Sequence, residues 1–277
     1  SNNVAVGKFA MVANTTGTQN VAIGSLALDA NTTANDNVAV GYTAGTANTT
    51  GASNTFVGSE SAIANTTGHS NAAFGKRSLY TNSTGASNTA LGKDALYANT
   101  TASNNTAVGA DALTANTTGS NNTGIGSLAL DANTTGGNNV AVGRTALFSN
   151  TTASNNTACG YNSLRLNTAA NNTAVGFDAL KSNTTGTQNT AVGTLTLDAN
   201  TSANYNTAVG YQALSSTTTG DLNTAVGQDC LRDNTTGESN VAVGLSALRA
   251  STTADNNTAI GQSALKENTT GHQNVAV

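Results

Sequence analysis

The sequence predicts an all-β fold, a rod-shaped parallel β-solenoid with one coil per 17-residue repeat. Three features predict it: a short motif at fixed spacing, apolar residues in constant register, and the absence of proline. The motif is Asn-(Thr/Val)-Ala-(Val/Ile)-Gly, and its glycines are Gly7, Gly24, Gly41, Gly58, Gly75, Gly92, Gly109, Gly126, Gly143, Gly160, Gly176, Gly193, Gly210, Gly227, Gly244 and Gly261. Every interval is 17 residues, except for 16 between Gly160 and Gly176. Such a period indicates a repeat architecture in which like residues stack coil over coil.

The domain organisation follows from the same period. A chain of 277 residues has room for one or two globular domains. However, the composition does not shift along the chain and no interval resembles a linker. We therefore expect one continuous array over residues 1–277, with sixteen repeats and a length of roughly 75–80 Å at strand spacing. The chain opens on Ser1 and ends on Val277 within a motif, so we expect it to be a piece of a longer fibre.

The composition narrows the function classes. With no proline, every backbone N–H is available to a hydrogen-bonded ladder. Charged residues make up only 9% and the net charge is −4, which argues against a surface that follows nucleic-acid phosphates. We expect no contact of this segment with nucleic acid or membrane. The strict register of apolar residues argues against disorder, although the composition is polar.

Each repeat opens with an asparagine that is present in every copy. These residues are Asn3, Asn20, Asn37, Asn54, Asn71, Asn88, Asn105, Asn122, Asn139, Asn156, Asn172, Asn189, Asn206, Asn223, Asn240, Asn257 and Asn274. A residue kept in all repeats of one chain meets the same environment each time. We expect its amide either to bond the backbone at a bend or to bond its own copy one coil away.

A short strand of three residues follows the opening asparagine, and its side chains alternate between two faces. The residue before the glycine is apolar in every copy, from Val6 and Ile23 to Val277, and we interpret this row as the core. The central alanines, such as Ala22, form a small, flat row. That row is compatible with close approach of another chain and also with a tight coil interior.

The motif glycine predicts a positive φ or a crowded corner after the strand. A second apolar row follows four residues later; it is mostly leucine and is interrupted only by Gly45 and Ala62. The six residues around each leucine, for example 93–98, form either a second strand or one helical turn, because so short a run does not decide the period. We favour a strand with the leucine pointing inward.

The third segment of the repeat is Asn-Thr-Thr-Gly or a close variant, which is typical of a turn. The one-residue deletion falls here, in residues 167–170, and supports an outer bend. Many of these asparagines stand in Asn-x-Ser/Thr sequons and are candidate N-glycosylation sites: Asn14, Asn31, Asn48, Asn65, Asn82, Asn99, Asn116, Asn133, Asn150, Asn183, Asn200, Asn234 and Asn268. The alternative is that they are only turn and ladder residues. An intact mass equal to the sequence mass would exclude glycans.

The Asn-x-Ala-Val/Ile-Gly unit, as at residues 139–143, resembles the head repeat of YadA-type trimeric autotransporter adhesins. Similar repeats occur in phage tail fibres and bacterial surface fibres. The resemblance covers all sixteen repeats and implies a left-handed parallel β-roll, three chains side by side, on a cell or virion surface. The longer period, the leucine row and the Asn-Thr-Thr bend depart from the family, so trimerisation and matrix binding are expectations.

No part of the sequence gathers the unlike side chains that catalysis needs. The two histidines, His69 and His272, follow the outer bend twelve repeats apart, and we interpret them as surface residues. The cysteines, Cys159 and Cys230, lie about four coils or roughly 19 Å apart, beyond disulfide reach, and we interpret them as small buried thiols. We expect no enzymatic activity, no metal site and no cofactor.

The uniform array favours a structural or adhesive fibre segment of a cell-surface or virion appendage. We expect self-association, as a homotrimer or a filament, and a host-surface or matrix receptor as a further partner. One alternative is an ice- or surface-binding solenoid that uses threonine ranks such as Thr15-Thr16 and Thr32-Thr33; absence of thermal hysteresis would exclude it. Another is an N-glycosylated extracellular filament subunit. A glycan-binding spike needs an acidic groove with aromatic residues, which the sequence does not reveal.

Overall fold

The computed structural model describes residues 2–277, and all regular secondary structure in them is β-strand. The chain divides into two compact units, the first ending at Asn139 and the second beginning at Val140. Each unit is a parallel β-solenoid in which consecutive repeats pair strand to strand. The predicted fold class is therefore confirmed. The left hand of the solenoid and the single continuous array over residues 1–277 stay predictions.

Every repeat contributes one short strand. Within residues 2–139 these are β1 Val4–Val6, β2 Val21–Ile23, β3 Val38–Val40, β4 Thr55–Val57, β5 Ala72–Phe74, β6 Thr89–Leu91, β7 Thr106–Val108 and β8 Thr123–Ile125. Within residues 140–277 they are β9 Val140–Val142, β10 Thr157–Cys159, β11 Thr173–Val175, β12 Thr190–Val192, β13 Thr207–Val209, β14 Thr224–Val226, β15 Val241–Val243, β16 Thr258–Ile260 and β17 Val275–Ala276. Val40 pairs with Val57, so identical motif positions lie directly over one another, as predicted. The shortened repeat keeps this register, because Thr157 pairs with Thr173.

The interior row of each strand is the alanine row, which corrects our assignment of the core to the residue before the glycine. This row is fully buried from Ala22 to Ala259, whereas Ile23 and Leu91 on the other face are 41% and 47% exposed. The coil is narrow here: a Cβ at Gly124, which occupies an alanine position, would lie 3.3 Å from Leu113 Cδ1. A methyl group therefore fits inside, and the branched side chains point outward. Of the two roles considered for alanine, the coil interior is the observed one.

The leucine row is buried as predicted, but the segment that carries it consists of turns, so the favoured second strand is wrong. Asp94 and Leu96 have φ values of 57° and 53°, in the left-handed region that an extended strand does not use. The N–H of Leu96 still bonds the carbonyl oxygen of Ala112, one coil on, at 3.0 Å. Leucine has no preference for this backbone conformation, so local propensity did not reveal it.

Each of the strands β1 to β16 is followed by a glycine whose φ lies between 122° and 145°. A Cβ on Gly92 would lie 2.4 Å from the carbonyl oxygen of Gly109 in the next coil. Both predicted reasons for glycine are therefore confirmed, since only glycine combines this backbone conformation with so close an approach.

The two interruptions of the leucine row accompany one large residue in the alanine row. Phe56 takes an alanine position in β4 and is fully buried. A Cβ at Gly45 would lie 2.7 Å from the Phe56 ring, so a leucine at 45 and the phenyl ring exclude each other. Ala62, also fully buried, takes the leucine position in the turn that follows β4, and its small side chain leaves space for the Phe56 ring.

Both roles predicted for the opening asparagine occur: it bonds the backbone, and in the second unit several copies also bond each other, as Asn257 Nδ2 does to Asn240 Oδ1 at 3.1 Å. In the opening row, Asn37 Oδ1 accepts the backbone N–H of Asn54 at 2.9 Å, and Asn37 Nδ2 donates to a carbonyl oxygen of the next coil's bend at 2.9 Å. In the bend row, Asn65 Nδ2 donates to Asn48 Oδ1 at 2.8 Å and to the carbonyl oxygen of its own bend at 2.9 Å. The bend asparagines therefore form a side-chain ladder from coil to coil.

Candidate functional site

The candidate glycosylation sites are members of this bend ladder. Eleven of them are fully buried: Asn31, Asn48, Asn65, Asn82, Asn99, Asn116, Asn133, Asn150, Asn183, Asn200 and Asn234. Asn14 and Asn268 are half-buried. Asn82 Nδ2, for example, donates to Asn65 Oδ1 at 2.7 Å and to the Gly85 carbonyl oxygen at 3.0 Å. An N-linked glycan would replace one of these two hydrogens and needs open space around the nitrogen. The burial therefore argues against glycans on the folded coils and favours the ladder interpretation.

The outer strand face consists of the outward side chains at the first and third positions of the strands. No repeat places a charged residue at either position. The most exposed apolar members away from the chain ends are Ile23, Phe74, Leu91 and Ile125 in the first unit, and Val140, Val175, Val226, Val241 and Ile260 in the second. The third strand position is apolar in every coil, whereas the first is threonine in ten strands and valine or alanine in the others. The face is therefore an uncharged surface with one apolar stripe in each unit.

The two cysteines occupy different environments. Cys230 lies in the interior and is fully buried, as predicted, and burial raises the pKa of its thiol. Cys159 is exposed at the end of β10, so the expectation that it is buried is wrong. The reason is that the central residue of the strand faces the interior, so the residue before the glycine points outward. Cys159 is thus a thiol within the outer strand face.

The two threonines of each bend pair do not lie side by side on one flat exposed surface. Thr15 Oγ1 donates to the carbonyl oxygen of Thr32 at 3.0 Å, and the first threonine of later pairs bonds the next coil in the same way. The second threonine, as in Thr33 and Thr50, is exposed and forms a single file. The ice-binding alternative therefore has less geometric support than an association through the outer strand face.

The histidines are exposed, and His272 Nδ1 accepts the backbone N–H of Asp255 at 2.9 Å. Among residues 2–277, no three His, Cys, Asp or Glu side chains are grouped in a way that could hold a metal ion. The same residues contain no helix that could span a lipid bilayer.

A polar pocket with an aromatic side lies on the turns of the first unit. The tyrosine pocket, as we name it, has a volume of about 260 Å³ and is lined by Arg77, Asp94, Tyr97, Asp111 and Thr114. Its tyrosine stacks on Tyr80 of the previous coil, with ring centroids 4.9 Å apart. Sequence reasoning missed this cluster, although a signal was present: Tyr80 and Tyr97 are one period apart and must therefore lie one above the other.

Neither protein-family models nor curated proteins resemble the chain at a significant level. The functional proposals therefore rest on the geometry of the outer strand face and the tyrosine pocket.

Charges at the tyrosine pocket are partly paired. Arg77 Nε and Nη2 each donate to the Asp94 carboxylate at 2.8 Å, and Lys93 Nζ lies 3.2 Å from the same group. Burial alone would raise the pKa of Asp94, but the hydrogen bonds and charges of Arg77 and Lys93 outweigh it and hold the pKa below its ordinary value. Asp111 has no ion pair within residues 2–277, which leaves its carboxylate available to a ligand.

The pKa of Asp131, one coil beyond the pocket, is shifted upward, opposite to the shift of Asp94. Burial raises its pKa; a hydrogen bond from Thr114 opposes the shift, and the Asp111 charge adds to it. A carboxyl whose pKa is raised by folding binds protons better in the native state, so its ionisation at higher pH lowers stability.

We therefore expect Asp131→Asn to raise the free energy of unfolding at pH 7. The gain should vanish as the pH falls through the native pKa to about 3.9, the unfolded value. Urea unfolding followed by circular dichroism at several pH values measures it. Asp94→Asn is the control of opposite sign: it should lower stability at pH 7, with a loss that shrinks at acid pH. A gain for Asp131→Asn that does not depend on pH would contradict the assignment.

Proposed function

We propose that this chain is a structural, adhesive fibre segment of a cell-surface or virion appendage, and that copies of it associate through their outer strand faces. The supporting observation is that apolar side chains point outward in coil after coil, while the alanine and leucine rows already fill the interior. Contiguous exposed apolar patches beyond a few hundred Å² are typical of association surfaces. Depletion of charge is typical of the buried centre of an interface.

The same face favours a second copy of this chain as the partner. Its apolar residues recur once per coil, and another copy carries the same period, so contacts made by one coil are repeated by the next. An unrelated globular partner would match the stripe only locally. Side-by-side packing of three chains, which the resemblance to YadA-type heads implies, and pairwise packing into a filament both use this face.

Placing charge on the face is expected to dissociate the assembly. Val175 and Val226 are 37% and 38% exposed in the free chain, so Val175→Lys/Val226→Lys should fold normally. An unpaired ammonium buried in an interface is strongly unfavourable, and we expect association to weaken by more than about tenfold. Sedimentation equilibrium and native mass spectrometry measure it.

The matched control adds the same charge elsewhere. Thr194→Lys/Tyr211→Lys changes the position after the motif glycine, where Lys76 and Lys93 stand in other coils. This variant should assemble like the original chain. A monomeric original chain at about 100 μM, or a Val175→Lys/Val226→Lys variant that assembles normally, would overturn the proposal.

Cys159 offers a second readout, because it lies within the proposed interface. If chains pack in parallel and in register, the Cys159 side chains of neighbouring copies face each other across roughly 10 Å, too far for a direct disulfide but within the span of a short bismaleimide cross-linker. Treatment with that reagent should then give covalent dimers. Cys159→Ser should abolish them and Cys230→Ser should not. Association without cross-linking would support the face but exclude in-register parallel packing.

A further inference from the structure

We propose that the tyrosine pocket binds one pyranose ring of a glycan, stacked on Tyr97 with its hydroxyl groups bound by Asp111 and Arg77. The inference goes beyond self-association, because the pocket lies on the turn segments and not on the outer strand face. A fibre with both surfaces would assemble through one and contact a glycan through the other.

The aromatic side of the pocket is an interrupted stack. The rings of Tyr80 and Tyr97 are nearly parallel, at 8°, with centroids 4.9 Å apart, so one coil separates equivalent rings by a distance suited to offset stacking. Tyr80 covers one face of Tyr97 and does not line the pocket. In the next coil Thr114 stands where a third ring would continue the stack. The pocket therefore holds space for a flat ring against an aromatic surface.

The polar side of the pocket supplies both kinds of hydrogen-bonding group. The Asp94 carboxylate fixes the Arg77 guanidinium, which lies 5.4 Å from the centroid of the Tyr97 ring. The remaining Nη of Arg77 donates to no residue of the described chain, so it can donate to a ligand. The Asp111 carboxylate accepts hydrogen bonds only and lacks an ion-pair partner within residues 2–277. Arg77 comes from the coil before Tyr97 and Asp111 from the coil after it, so the lining of the pocket contains one fixed donor and one acceptor without an ion-pair partner.

A pyranose ring matches this combination. Its C–H face is apolar and packs on an aromatic ring, while hydroxyl groups around its rim both donate and accept hydrogen bonds. A phenylalanine side chain of a peptide would complete the stack, but it would bury the Asp111 carboxylate without a donor, which is unfavourable. A tyrosine or tryptophan side chain offers one donor, whereas a pyranose ring offers several around its rim. The pocket volume of about 260 Å³ lies below the about 300–1,000 Å³ of drug-sized sites, so it accommodates about one ring.

Titration of the full chain with single-ring probes tests the proposal. The probes are the methyl glycosides of glucose, galactose and N-acetylglucosamine, and the readout is NMR of carbon-13-labelled tyrosine rings. For at least one sugar, the Tyr80 and Tyr97 signals should shift with saturation and a Kd in roughly the millimolar range, while the Tyr161 signal stays constant. The proposal is overturned if no sugar shifts them at about 100 mM, or if phenol shifts them and no sugar does.

Variants locate the binding. Thr114→Tyr completes the stack with the protein's own ring, at a position that already holds Tyr97 and Phe148 in other coils, so it should fold normally and weaken binding more than about tenfold. Asp111→Asn should weaken it about tenfold, through loss of a charge-assisted hydrogen bond. Tyr161→Ala disrupts the other stacked pair, Tyr161 with Phe177, and should leave binding unchanged. Binding that survives Thr114→Tyr would contradict this site.

Discussion

Replacing Phe56 with alanine is expected to lower the free energy of unfolding by about 3–5 kcal/mol. The ring is fully buried in a row that is otherwise alanine or glycine. Gly45 and Ala62 stand where most coils place leucine, and the Leu28 side chain beside Gly45 is too small to replace a phenyl ring. A cavity therefore remains, and its surroundings relax only in part. Urea unfolding followed by circular dichroism measures the change; a loss below about 1 kcal/mol would show that the coil collapses around the gap.

Restoring the leucine is expected to recover most of that loss. Gly45 has a φ of 60°, close to the 53° of Leu96 at the equivalent position, so the backbone at 45 accommodates leucine. In the original chain Gly45→Leu should destabilise, because its Cβ would lie 2.7 Å from the Phe56 ring. Combined with Phe56→Ala, the same change should fill the cavity. A double-mutant cycle would then give strong coupling between the two positions. Additive effects would contradict the conclusion that the Phe56 ring and a leucine at 45 occupy the same space.

The period and the alternation of the strand could be read from the sequence, but the inward side of the strand could not. Val40 pairs with Val57 as expected, because a fixed period specifies which residues stack. In each strand, however, both faces carry apolar side chains, so hydrophobicity does not distinguish them. Size decides: Ala39 fits the narrow interior and Val40 does not. The rule that the larger apolar residue is the buried one fails here, and self-association would cover the outward row.

The turn segments were harder to predict than the strand. Leu96 is left-handed although leucine is not a type that favours this conformation, whereas aspartate, as at Asp94, adopts it more readily. Neighbouring coils stabilise the turn through hydrogen bonds that no single repeat contains. The tyrosine pocket depends on this same geometry. The period alone could have placed Tyr80 over Tyr97, but the approach of Arg77 and Asp111 to that stack required the coordinates of the turns.

Replacing Asn82 with alanine is expected to lower the free energy of unfolding by at least about 3 kcal/mol. Its Nδ2 donates to Asn65 Oδ1 and to the Gly85 carbonyl oxygen, and its Oδ1 accepts from Asn99 Nδ2 at 2.8 Å. The substitution leaves buried Asn65 Oδ1 without a partner, which costs about 1–3 kcal/mol. It also removes one of two hydrogen bonds from the Gly85 carbonyl oxygen and from Asn99 Nδ2, at about 1 kcal/mol each. Because coils contact only their neighbours, the loss should spread to the coils on either side, which amide hydrogen exchange would localise.

Thr84→Ala distinguishes the hydrogen-bonding role of Asn82 in the ladder from a role as glycan acceptor. Asn82, Ser83 and Thr84 form one sequon, and either substitution destroys it. Thr84 is exposed, so its replacement should change the free energy of unfolding by no more than about 0.5 kcal/mol. If the asparagine row serves the fold through its hydrogen bonds, only Asn82→Ala is strongly destabilising. If the row serves as a glycan acceptor, protein from a glycosylating host should lose the same mass and the same stability in both variants, and that result would contradict the ladder.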